Sequence, residues 1–110
     1  MNAPVAAAGT DADRIAVATL SCPAVARLHG GRFGEVATYL PGRRIGGVRL
    51  RSTPDGDAVE IHVVGRYPAT VAEVAGQVRA VLKPIVGSAR VDVVVGDYAG
   101  EIEHPSAERG

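Results

Sequence analysis

The reading that decides the fold starts from GVRLRSTPDGDAVEIHVVG (residues 47–65), followed by TVAEVAGQVRAVLKPIVG (70–87) and ARVDVVVG (89–96). The three segments read as strand, turn, strand, capped helix and strand. Asp55-Gly56 tolerates the positive φ angles of a two-residue hairpin turn, and alternating apolar and charged residues flank it on both sides. With that pair as the loop, Leu50 faces Ile61, Val48 faces Val63, Arg51 faces Glu60 and Arg49 faces His62. One face of the ribbon is then apolar and the other charged, as in a sheet with one side on a core and the other in water. A slip of one residue would exchange the two faces, so the pattern restricts the register.

Thr70-Val71-Ala72-Glu73 is a capping box, with Thr70 as N-cap and Glu73 reaching back to its amide. Val71, Val74, Ala75, Val78, Leu82 and Ile85 then recur at helical spacing as one apolar stripe. Pro84 lacks an N–H, which predicts that the regular helix ends or kinks there, and Gly87 marks its exit. Residues 89–96 form a strand with Val91, Val93 and Val95 on one face and Asp92 and Val94 on the other. A strand, helix and strand in succession predict a right-handed crossover to a parallel neighbour.

Upstream, Asp11 or Asp13 can cap a helix that begins near Arg14 and ends by Ser21, ahead of Pro23. Residues 24–29 read as extended. Residues 35–40 are a strand or a short helix, six positions being too few to settle the period. Pro41-Gly42, Arg43-Arg44 and Gly46-Gly47 read as a loop into the hairpin. The expectation is an α+β two-layer sandwich in the order α-β-β-β-α-β, with helices on one face of a small mixed sheet. One domain over 13–98 lies between flexible tails at 1–12 and 99–110.

Twelve Lys and Arg against twelve Asp and Glu leave no net charge to draw the whole chain to nucleic acid or membrane. The charges are unevenly placed, with Arg concentrated in 14–51 and acids in 52–110, so opposite charges are expected to meet in the fold. The one cysteine, Cys22, excludes an internal disulfide framework and suits a reducing compartment, where it acts as a small hydrophobe. No apolar run reaches the roughly 20 residues that span a bilayer. The start of the chain lacks a basic n-region, so the expected location is the cytoplasm.

Catalytic and metal readings are weak. His29, His62 and His104 lie far apart with no ligand spacing, and no cofactor is expected. Ser21, His29 and Asp55 could be written as a triad, but nothing in their spacing brings them together. Glu101 and Glu103 fall in the tail and read as solvated charges.

From the first helix onward, Pro23-Ala24-Val25-Ala26-Arg27-Leu28-His29-Gly30-Gly31 precedes Gly46-Gly47-Val48-Arg49-Leu50 and a Val-rich strand. The capped helix and Val91-Asp92-Val93-Val94-Val95 follow. This order over about residues 13–97 resembles the alkaline shock protein family of envelope stress response proteins. The resemblance implies a non-enzymatic cytoplasmic protein that docks on an envelope-associated partner, in some members a membrane-anchor protein. The Pro-interrupted first helix, the Arg-rich 43–51 segment and the short tail depart from that pattern. Arg49, Arg51, Glu60, His62 and Val94, on the open sheet face, are the candidate docking or self-association residues. Edge strands offer a second mode, by backbone pairing.

The alternative is a KH-like RNA-binding module. Gly31-Arg32-Phe33-Gly34 has the GxxG form that clamps a nucleic-acid backbone, with Gly31, Arg32, Gly34, Arg43 and Arg44 as its anion-binding set. A missing first strand, Pro23 in the helix before the loop, and Glu35 beside it argue against that reading.

Overall fold

The computed structural model describes residues 3–100, with side-chain surroundings from Asp11 onward. The element order is α1 (Ala3–Leu20), β1 (Val25–Leu28), β2 (Ala37–Leu40), β3 (Arg43–Gly46), β4 (Val48–Thr53), β5 (Gly56–Arg66), α2 (Val71–Val86) and β6 (Arg90–Ala99). β5 is the spine. β6 runs parallel along one edge, while β4 and β1 share the other, antiparallel and end to end. The protein is an α+β fold with both helices on one face of this mixed sheet, and β2 and β3 form a separate small hairpin.

The helices and sheet meet in one aliphatic core. Ile15 of α1 and Val74, Val78 and Leu82 of α2 pack with Val48 of β4 and Val59, Ile61 and Val63 of β5. Each such side chain contributes about 1.5–3 kcal/mol through its removal from water. The capping box is formed: Thr70 Oγ1 accepts from Glu73 N at 3.1 Å, and Glu73 Oε1 accepts from Thr70 N at 2.8 Å. Val71 is not on the buried stripe; it is 54% exposed. Pro84 does not end α2, which continues to Val86 and closes with Gly87 N donating to Lys83 O at 2.9 Å. Proline removes one helical hydrogen bond, while Val86, half-buried on the core, holds the last turn in place.

The hairpin register differs from the expected one by two residues. Val48 pairs with Ile61, Arg49 with Glu60, Leu50 with Val59 and Arg51 with Ala58. Pro54 and Asp55 form the loop, closed by Thr53 and Gly56. Among the described residues only glycines have a positive φ, so Asp55 does not enter the turn that Asp-Gly favours. Proline instead fixes the first turn position, and Gly56, at φ +119°, absorbs the unusual backbone angle after it. Thr53 Oγ1 accepts from Asp55 N and braces the loop. A shift of two preserves the faces, which is why the apolar-in, charged-out reading survives.

Two further expectations are corrected. α1 begins at Ala3 rather than near Arg14, and Ala12, placed in a tail by the sequence, is fully buried in the core. Residues 43–46, expected as loop, are a strand paired with β2 across the Pro41-Gly42 turn, and 35–40 therefore contains a strand and not a helix. Gly47 joins this hairpin to β4 at a crowded point. An added Cβ there would stand 2.9 Å from Leu28 Cβ and 3.0 Å from His62 O, and its φ is +87°. The close approach lets His29 N donate to His62 O and His62 N donate to Gly47 O, carrying β5 from one antiparallel neighbour to the next. Among the described residues, no helix is long and apolar enough to cross a membrane.

Candidate functional site

The sheet face opposite the helices carries the candidate residues. Arg49 and Glu60 are cross-strand partners, and His62 lies one step further along the same face of β5. Glu60 is the hub: its Oε2 accepts from His62 Nε2 at 2.6 Å, while Oε1 lies 3.4 Å from Arg51 Nη1 and 3.7 Å from Arg49 Nη1. An ionised carboxylate only accepts, so the imidazole presents N–H at that nitrogen. Glu60 and His62 are mostly covered, and the two arginines stand further out. Beside them Val94 of β6, registered with His62, is 41% exposed. The structure thus gathers Arg49, Arg51, Glu60, His62 and Val94 on one surface.

Glu35, outside the expected docking set, links this face to the glycine loop. Its backbone oxygen accepts from Arg49 Nη2 at 3.2 Å, and its Oε1 accepts from Phe33 N at 2.9 Å. The N–H groups of Glu35 itself and of Phe33 hold its carboxyl below the ordinary range, with smaller help from Arg49 and His62. The Phe33 amide, inside the glycine loop, is therefore taken by the chain's own carboxylate. Gly31-Arg32-Phe33-Gly34 also sits between strands β1 and β2. In sequence, only the closeness of Glu35 to the two glycines could have signalled this role.

The anion-binding set is divided. Arg44 Nη1 donates to Gly34 O at 3.0 Å and belongs to the loop surface. Arg43 turns to the other side of the hairpin and grips Asp13 of α1 with both Nη atoms, at 3.0 and 2.9 Å. That fork holds the Asp13 carboxyl below its usual range. Opposite charges from separate parts of the chain do meet here, as they do at Glu60.

Other candidates have local partners. Ser21 Oγ donates to Ala18 O, His29 Nδ1 accepts from Gly31 N, and Asp55 lies in the hairpin turn, so the three stay apart. Cys22 is buried, and burial pushes its thiol pKa up. No group of three His, Cys, Asp or Glu suited to a metal ion occurs among the described residues. His104, Glu101 and Glu103 lie outside the described residues. A concavity of about 490 Å³ opens between α1, the hairpin tip and the end of α2, with Asp11, Arg51, Ser52 and Asp57 as its polar lining. Compared with protein-family models, curated proteins and solved structures, the chain matches none.

Proposed function

We propose that this protein is a non-enzymatic interaction module that docks a protein partner through the open face of its sheet. The observation that carries the reading is the Glu60 hub, in which one carboxylate holds His62, Arg49 and Arg51 in place beside exposed Val94. Side chains ordered before binding lose less freedom when a partner arrives, so such a surface gains affinity from its own internal bonds. The outer edge of β6, with no strand paired to it among the described residues, extends that face with backbone donors and acceptors. Similarity to the alkaline shock protein family suggests an envelope-associated partner, such as a membrane-anchor protein, and a cytoplasmic location peripheral to the membrane.

The test is charge reversal. Arg49→Glu with Arg51→Glu should lower recovery of a membrane-associated partner in affinity capture, while the circular dichroism spectrum stays that of the parent. Equal recovery from a folded double variant contradicts the reading.

A further inference from the structure

The chain has four aromatic rings, and its core is built without them. The two most exposed are Phe33, 87% exposed, and Tyr39, 68% exposed. They are joined through Arg44. Its guanidinium is bonded to Gly34 O, next to Phe33, and Arg44 is the direct cross-strand partner of Tyr39. Directly opposed residues share a face of a hairpin. The opposite face is turned to the body, where Thr38 bonds Val48 O, Arg43 bonds Asp13 and Ile45 packs on the core. Tyr39 and Arg44 therefore point outward. At the other end of the patch, the Arg32 guanidinium stands 5.9 Å from the centroid of the Phe33 ring.

The charge pattern is selective. Arg43 has a carboxylate partner, whereas among the described residues Arg32 and Arg44 have none. Glu35 is the nearby acid, and its carboxylate is committed to the Phe33 amide. Two solvent-facing rings interleaved with two guanidiniums that lack a carboxylate partner among the described residues match a ligand that carries both flat π faces and regularly spaced negative charge. An acidic peptide supplies the charge without the stacking surfaces. We infer that Arg32, Phe33, Tyr39 and Arg44 form a binding surface for single-stranded nucleic acid, read through base stacking and phosphate contacts rather than through a backbone-amide clamp. This surface does not require Arg51, Glu60, His62 or Val94, so it stands apart from the docking face.

The test is fluorescence anisotropy of the full chain with a labelled single-stranded oligouridylate over a salt series. Unlabelled oligouridylate, duplex RNA, polyglutamate and anionic phospholipid vesicles serve as competitors. Single-stranded RNA should bind, and only single-stranded RNA should compete well. Phe33→Ala and Tyr39→Ala should each weaken binding about fivefold or more, the value of one lost base stack. Arg32→Ala and Arg44→Ala should each reduce the slope of log affinity against log salt by about 0.7. Glu35→Gln, which keeps an acceptor for the Phe33 amide and removes a like charge, should tighten binding. Val71→Ala, at an exposed position at the start of α2, should bind as the parent does. Absence of binding at low salt overturns the inference. So does binding indifferent to both ring deletions, or equal competition by duplex, polyglutamate or vesicles.

Discussion

Glu60 Oε2 and His62 Nε2 stand 2.6 Å apart on one face of β5, and the second oxygen of the same carboxylate serves two arginines. Two hydrogen bonds, from His62 and Arg51, and one longer ion pair, with Arg49, thus converge on a single acid. Glu60→Gln should cost about 1 kcal/mol in urea unfolding, because partly exposed ion pairs contribute little each and here three weaken together. The same change should loosen the open face, seen as a lost His62 chemical-shift signature without loss of the β-sheet spectrum. An unchanged His62 environment would show that the hub does not position it.

Gly47 and Gly42 share a positive φ but differ in their surroundings. Nothing lies within 4 Å of a Cβ added at Gly42, whereas at Gly47 it meets Leu28 Cβ and His62 O. Gly42→Ala should cost about 1–2 kcal/mol, the penalty of the left-handed backbone alone. Gly47→Ala should cost more, because the β1–β5–β4 junction must also move. Chemical denaturation of the two variants measures the difference, and equal losses would contradict the close-approach argument.

Thr19 is fully buried in α1, and its hydroxyl has no hydrogen-bond partner among the described residues. An unpaired buried hydroxyl costs about 1–3 kcal/mol. Thr19→Val keeps the shape and removes the polar atom, so it should raise the unfolding free energy by about 1 kcal/mol or more. Destabilisation by this substitution would mean that the hydroxyl is bonded in solution.

The Glu35 carboxyl is held below its ordinary range chiefly by backbone N–H groups. A depressed carboxylate stabilises the fold above its unfolded pKa, and that contribution is lost as pH falls through the folded value. The stability difference between parent and Glu35→Gln should therefore be full at neutral pH and shrink below about pH 4, where an unfolded glutamate titrates. NMR titration should place the Glu35 midpoint below that of a free glutamate. A midpoint at the free value would remove the loop-bracing role assigned to this side chain.

Local chemistry was the part of the fold legible in the sequence. The Thr70–Glu73 box needs only four residues, and the alternation around the hairpin needs only a period of two. The register is not legible there because Asp55-Gly56 favours one turn while Pro54 imposes another, and the proline constraint wins. β3 has no sequence signature because Arg43-Arg44-Ile45-Gly46 is too short and too polar to show alternation. Arg49, Arg51, Glu60 and His62 share a face, as the alternation predicts, but their organisation around Glu60 depends on the two-residue shift. Glu35 and Tyr39 acquire their roles from contacts between β2, β3 and the glycine loop, and no sequence period reports those contacts.

The central claim, that the open sheet face docks a protein, is tested most directly by site-specific photocrosslinking in cells. A photoreactive residue is placed at Val94, beside His62 on the open face, and at Val71, a comparably exposed position at the start of α2. The account predicts a discrete protein adduct from position 94 that disappears in the Arg49→Glu, Arg51→Glu background, and none from position 71. No adduct at 94, or the same adducts from both positions, would contradict it.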